Sequence, residues 1–272
     1  MQLQLPNRVI DFPRRPLLAG SVNWGNKDRT AEDLLPELSH LVQQGADLII
    51  LQGLVMEHLS LLPRMVEEVE RARPADDTQI SRPILALSSS SMELCQKALP
   101  QGFDLLLGYP AEHISEFAAL CAAADCAILL SPLSQKSLPE LSQALKDAVS
   151  RALASGLIME HLILDSTLQP ANDDGSQDRR FMSEIHALHH FQRPVFLDLT
   201  GQDSSPPAAL AQLAHGVGKG LQVFRVHDVS GSWQALRLLD ALERPPQAPS
   251  LRKLQKGRGP TPQPDASKSF LL

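Results

Sequence analysis

In the run Phe224-Arg225-Val226-His227-Asp228-Val229, an arginine and a histidine stand two positions apart among strand-forming residues. On a strand, successive side chains alternate between faces, so Arg225 and His227 are expected on the same side. Two basic groups projecting together from the carboxyl end of a buried strand suit the capture of an anion. In a barrel of parallel strands, that end is where active sites sit. A second reading makes the same residues structural, as an Arg-Asp pair beside a histidine satisfied by a hydrogen bond.

Other chemistry-bearing residues fall at comparable places. Asp165 closes the apolar run Leu162-Ile163-Leu164, where a carboxylate can accept two donors from a ligand or else cap the following turn. Asp198 lies inside another such run and is a candidate acid or base if it faces inward. Ser88 to Ser91 follow a third run, where serines at a helix start either cap it or hold a phosphate. His186 and His190 have the i, i+4 spacing that a metal can use on a helix, but no His-Glu-x-x-His signature accompanies them, and a surface or packing role is the expectation. Gly216-Val217-Gly218-Lys219-Gly220 looks like a phosphate loop, yet it follows a helix and precedes a strand, as a helix C-cap does.

The elements that must position these groups can be read from the hydrophobic pattern. Eight short runs rich in Leu, Ile and Val span residues 17–23, 46–53, 83–89, 103–109, 126–132, 162–167, 194–200 and 221–229. Segments of helical period separate them, near 31–44, 57–72, 91–99, 112–124, 138–155, 180–190 and 206–219, and a last one covers 231–243. Eight strand-helix units in one chain of this length predict a (β/α)8 barrel rather than an open doubly wound sheet, and no glycine-rich nucleotide fingerprint follows the first strand. Residues 1–13 read as a β-hairpin, with Leu3, Leu5, Val9, Ile10 and Phe12 as apolar contacts around Pro6 and Asn7, placed to cover the floor of the barrel. From Arg244 the composition shifts to Pro, Gln, Ser, Lys and Gly, which predicts a barrel over 1–243 and a disordered, Pro-rich tail over 244–272.

Bulk properties narrow the class. The chain has 272 residues, 43% of them hydrophobic, enough for a large core. A formal net charge of -6 with no long basic run speaks against a nucleic-acid surface. Cys95, Cys121 and Cys126 lack zinc-knuckle spacing and read as reduced, buried thiols. No segment is long and apolar enough to span a bilayer, and no leader pattern opens the chain, so a cytoplasmic protein is expected.

With these units in place, Leu17-Leu18-Ala19-Gly20-Ser21-Val22-Asn23, Gly45-Ala46-Asp47-Leu48-Ile49-Ile50, Leu162-Ile163-Leu164-Asp165 and the Arg225-Val226-His227-Asp228 motif resemble, in order and spacing, the dihydropteroate synthase family of pterin-binding barrels in folate biosynthesis. The resemblance covers residues 1 to about 243. It implies that Asn23 touches the magnesium-pyrophosphate end of the substrate, that Arg225 and His227 bind its phosphate oxygens, and that Asp165 hydrogen-bonds the pterin ring. A homodimer through the outer helices is implied in the same way.

The departures are equally specific. The family's Thr-Pro-Asp-Ser-Phe loop is Trp24-Gly25-Asn26-Lys27-Asp28 here, and its second-strand aspartate and Gly-Glu-Ser-Thr-Arg-Pro-Gly loop become Ile50 and Gly53-Leu54-Val55-Met56-Glu57. Its strand-three aspartate aligns with Leu87 or a neighbouring serine, and its strand-four Asn-Asp with Leu107-Gly108. The glycine-rich turn and lysine after strand six are Ser166-Thr167-Leu168-Gln169-Pro170, and the Ser-Arg-Lys of strand seven is Thr200-Gly201-Gln202. Each donor or acceptor left unpaired on a buried pterin costs about 1–3 kcal/mol, so these losses predict weakened pterin specificity, an apolar wall at Leu87 and Leu107, and little transfer of the pterin methylene to p-aminobenzoate. The same barrel kept as a catalytically inactive partner in regulation or assembly is the alternative.

Overall fold

A computed structural model describes residues 1–6, 8–12, 15–25, 30–72, 80, 82–132, 137–167, 181–201 and 205–243. Two strands, β1 (Gln2–Leu5) and β2 (Arg8–Asp11), form an antiparallel hairpin. Eight parallel strands then close into a barrel: β3 (Leu17–Asn23), β4 (Leu48–Gln52), β5 (Ile84–Ser88), β6 (Leu105–Leu107), β7 (Ala127–Leu130), β8 (Leu162–Asp165), β9 (Val195–Asp198) and β10 (Val223–Arg225). Each pairs with its sequence neighbours, and β10 closes the ring on β3 with Arg225 opposite Ala19. The (β/α)8 fold expected from the alternation of runs is therefore the fold observed.

Helices cover the outside: α1 (Ala31–Gln43), α2 (Leu62–Arg71), α3 (Met92–Ala98), α4 (Ile114–Ala124), α5 (Leu138–Ala154), α6 (Pro206–Gly218) and α7 (Val229–Glu243). The sequence explains α5 in detail. The Ser137 hydroxyl accepts the Glu140 N–H at the start of the helix, and Leu141, Leu145, Ala148, Val149 and Ala152 recur at helical spacing on the buried face. Residues 181–184 are helical and run into a 3-10 segment, Ile185–Phe191. At three residues per turn, His186 and His190 do not stack on one face, which removes the i, i+4 metal geometry their spacing suggested. Gly216 has a steric reason: a Cβ there would lie 2.6 Å from Phe224 Cε1, so its absence lets α6 approach β10. Lys219 follows α6 as its C-cap, and the glycine-rich run is a helix end as the sequence indicated.

The core has two layers. Leu17, Ala19, Leu48, Ile50, Ile84, Ala86, Leu105, Leu107, Ala127, Leu129, Ile163, Phe196 and Val223 fill the barrel interior, continuous with Leu3, Leu5, Ile10 and Phe12 of the hairpin. The opposite strand faces, among them Leu18, Val22, Leu51 and Leu87, pack against the helices. The hairpin thus plugs the floor, although Val9, read from sequence as one of its contacts, is exposed. Arg8 fastens the plug by donating to the carbonyls of Arg82 and Pro83 and to the Asp104 carboxylate, and Arg193 donates to the Gln2 carbonyl. Among the described residues no helix is long and apolar enough to cross a membrane. The tail expected over 244–272 lies outside the described residues.

Candidate functional site

The interior strand positions repeat every second residue, and extending that alternation to the carboxyl ends of the strands identifies the top layer. Its members are Ser21, Gln52, Ser88, Leu107, Ser131, Asp165, Asp198 and Arg225, each two residues beyond an interior apolar position. Seven of these eight are polar, so the apolar barrel ends in a ring of hydrogen-bonding groups. Leu87 belongs to the outer layer against the helices, and the inward position on β5 is Ser88. The apolar wall expected from Leu87 and Leu107 therefore reduces to Leu107.

Arg225 is the hub of the ring. Its Nη1 lies 3.1 Å from Asp198 Oδ2, and its Nη2 donates to Ser21 Oγ and Gln52 Oε1, both at 3.0 Å. The side chains of Arg225 and Asp198 are 16% and 23% exposed, which places the pair at the boundary between core and solvent. Asp198 is held from the other side as well, since its Oδ1 accepts the Thr200 N–H at 2.8 Å and the Thr200 hydroxyl at 2.6 Å. The expected Arg-Asp pair exists, and the aspartate is the inward-facing Asp198 of β9. Asp228, three residues beyond Arg225, instead accepts the Gly231 N–H at the start of α7.

The other sites foreseen in the sequence are arranged differently from one another. Asp165 is buried, with Oδ2 accepting the Ser131 hydroxyl at 2.7 Å and Oδ1 accepting the Thr167 N–H at 2.8 Å. Burial pushes its carboxyl above the ordinary aspartate range, with the Asp198 charge adding to the shift against the pull of these hydrogen bonds. His227 lies beyond the end of β10 and is exposed, its Nε2 3.1 Å from the Thr200 carbonyl oxygen. The assigned strand ends at Arg225, and the Val226 N–H still donates to the Ala19 carbonyl, so His227 is two residues past the strand end. Asn23 ends β3, is exposed, and accepts the Gly25 N–H on Oδ1 at 2.8 Å. Gly53, at φ +70°, packs against this turn, since a Cβ on it would meet Gly25 N and Asn23 Oδ1.

Ser21, Gln52, Ser131, Thr167 and Thr200 carry no motif that singles them out in the sequence, although strand alternation counted forward from the interior apolar residues finds the first three. Ser91 accepts the Leu94 N–H as the N-cap of α3, so the capping reading of the serine cluster describes that residue. Among the described residues no group of three or more His, Cys, Asp or Glu side chains has metal-binding geometry. Asn23 offers a cation one carboxamide oxygen, which also accepts the Gly25 N–H. A separate surface groove between α3 and α4 is lined by Met92, Gln96, His113, Glu116, Phe117 and Leu120. Its two titratable groups face each other, with His113 3.5 Å from Glu116, and it has none of the convergent polar groups of the mouth.

The architecture is that of the dihydropteroate synthases. The enzyme from Thermus thermophilus, in complex with 4-aminobenzoate, superposes with a TM-score of 0.70 at 19% identity, over 90% of this chain and 100% of that one. The Stenotrophomonas maltophilia enzyme with active site-bound imidazole gives 0.72 at 18% identity, over 90% and 100%. The Coxiella burnetii enzyme in complex with pteroic acid gives 0.72 at 16%, over 89% and 99%. No family model matches the chain, and no curated protein matches it.

Proposed function

We propose that the barrel mouth binds a pterin-type small molecule, either the pterin pyrophosphate of folate biosynthesis or a relative of it, and that Asn23, Asp165, Arg225 and His227 surround it. The observation that carries this reading is the polar ring above an apolar barrel, with the buried Asp165 as its least solvated polar member. An aminopyrimidine edge offers adjacent donors and acceptors. A carboxyl whose pKa burial has raised can accept from an amino group and, when protonated, donate to a ring nitrogen. The fold shared with structures that hold 4-aminobenzoate and pteroic acid supports the same ligand class.

Transfer of the pterin methylene to p-aminobenzoate is a weaker part of the reading. A departing pyrophosphate needs cationic groups aimed at the charge it develops, and Arg225 is engaged by Asp198, Ser21 and Gln52. That occupancy favours a second reading, in which the barrel is a catalytically inactive partner and Arg225 ties four strand ends together. A homodimer is part of the proposal. Leu238 and Leu242, one helical turn apart and exposed on α7, supply apolar surface for it, and sedimentation equilibrium tests it.

Calorimetric titration with dihydropterin pyrophosphate and with pteroic acid, with and without magnesium, tests the ligand. Binding that Asp165→Ala abolishes in a protein of native circular dichroism is the expected result, and absence of heat with every pterin overturns the reading. A pyrophosphate-release assay with p-aminobenzoate then separates a slow enzyme from an inactive one.

A further inference from the structure

The relationship between Asp198 and Arg225 bears on which ligands the mouth accepts. Arg225 is the cation at the centre of the top layer, and its positive charge faces a carboxylate at 3.1 Å. Asp198 is not a loose partner that an incoming phosphate could push aside, because the Thr200 N–H and hydroxyl pin its second oxygen at 2.8 and 2.6 Å. On the other side of the guanidinium, Ser21 Oγ and Gln52 Oε1 accept from Nη2, so oxygen lone pairs already surround that nitrogen. A phosphate oxygen approaching Arg225 would meet three oxygen acceptors, one of them charged. Asp165 adds a second carboxyl to the layer, buried and hydrogen-bonded by Ser131 and Thr167. Among the described residues of the top layer, the ionisable groups are thus two carboxyls and one arginine.

We infer that Asp198 acts as a built-in anion that occupies Arg225 and sets the specificity of the mouth, so that the site takes an uncharged, donor-bearing heterocycle in preference to a phosphorylated one. The heterocycle half of this inference rests on the pterin reading above, whereas the occupancy of Arg225 does not. A ring with amino and amide N–H groups finds acceptors in Asp165, Asp198, Ser88 and Gln52, and meets no electrostatic penalty against the carboxyls. A diphosphate ester of the same ring brings negative charge to a cation that is already neutralised, and its phosphates add nothing to affinity.

The test uses the full chain and three probes: 6-hydroxymethyl-dihydropterin, its pyrophosphate ester, and inorganic pyrophosphate, each titrated calorimetrically into the wild-type protein and into Asp198→Asn. The inference expects the wild-type protein to bind the alcohol at least as tightly as the ester. It also expects Asp198→Asn to bind inorganic pyrophosphate about tenfold or more tighter than the wild type does, because the variant removes the carboxylate charge that faces Arg225 and opposes an incoming anion. A wild-type preference of about tenfold or more for the ester over the alcohol overturns the inference and leaves the pterin reading standing. If neither pterin binds, the pterin reading fails, and the pyrophosphate arm still decides the role of Asp198: a gain in Asp198→Asn supports it and no gain overturns it. Thermal unfolding of the variant verifies that it is folded, and the wild-type ratio of alcohol to ester needs no variant at all.

Discussion

Asp47, fully buried before β4, receives the Arg15 guanidinium on both oxygens, Nη1 to Oδ2 at 2.7 Å and Nη2 to Oδ1 at 2.8 Å, and also accepts the Leu18 N–H at 3.0 Å. The arginine stacks 4.2 Å above the Trp233 ring of α7, so one ion pair connects the hairpin exit, the second barrel strand and the last helix. Removing the cation leaves a buried carboxylate without its countercharge. Arg15→Met is expected to lower the unfolding free energy by about 3–5 kcal/mol, read from the urea midpoint at unchanged m-value.

The hairpin is held by burial as well as by Arg8. Leu5 is completely buried in the barrel floor, and its truncation opens a cavity that the surrounding β-barrel cannot collapse to fill. Leu5→Ala should destabilise the protein by about 2–5 kcal/mol in chemical denaturation. Loss of less than about 1 kcal/mol would mean that the hairpin is only loosely docked.

Gly53 sits in the left-handed region at φ +70°, with Gly25 N 2.3 Å from where a Cβ would stand. Gly53→Ala combines backbone strain with a backbone clash, and it should cost more than about 1 kcal/mol. The clash falls on the Asn23 turn, so ligand binding at the mouth should weaken in the same variant, measured by the titration described above.

The pH dependence of stability should carry the signature of Asp165. Its folded pKa lies above the ordinary value of 3.8, so its contribution is fully present below the unfolded pKa and is lost as pH rises through the folded one. The wild type should therefore lose stability relative to Asp165→Asn as pH rises from about 4 towards neutrality, compared by urea denaturation at both ends of the range. A difference that does not change with pH would show that Asp165 ionises as readily in the folded chain as in the unfolded one.

All three cysteines are free and buried, and burial pushes the Cys95 thiol up to about 11. Thiolate is the reactive form, so at neutral pH the native protein should resist iodoacetamide at all three positions. Mass spectrometry should find complete labelling only after denaturation. Rapid labelling of the native protein would show that the layer between β-barrel and helices opens locally.

How much of this can be read from sequence depends on how each signal arises. The eight units are visible because apolar runs alternate with amphipathic ones, and the first of those runs has the same ends, Leu17 and Asn23, as β3. Strand phase is harder to read. A barrel strand is apolar on both faces, so nothing in Leu85-Ala86-Leu87-Ser88 says whether the two leucines or Ala86 and Ser88 face inward, and the sequence reading puts Leu87 on the wrong side. Ser21, Gln52 and Ser131 escape notice because serine and glutamine at a strand end are ordinary residues until closure brings them beside Arg225 and Asp165. Asp198 is recognisable as a candidate, but its partner lies on the neighbouring strand 27 positions away, a relationship no local motif records. The 3-10 winding of Ile185–Phe191 is equally hidden, since an i, i+4 histidine pair looks the same in either kind of helix.

The barrel seam places the two halves of the Arg225 hub at opposite ends of the message. Arg225 reaches Ser21 across 204 residues, and β10 is the strand that completes the ring. A ribosome synthesises Ser21, Gln52 and most of the barrel before it reaches the arginine, so during translation the mouth has acceptors without their cation. A chain interrupted before residue 225 has no Arg225 hub and lacks the residue that pairs with Ala19 across the seam. The assembled hub is a local certificate that translation has reached the last strand and that the ring has closed.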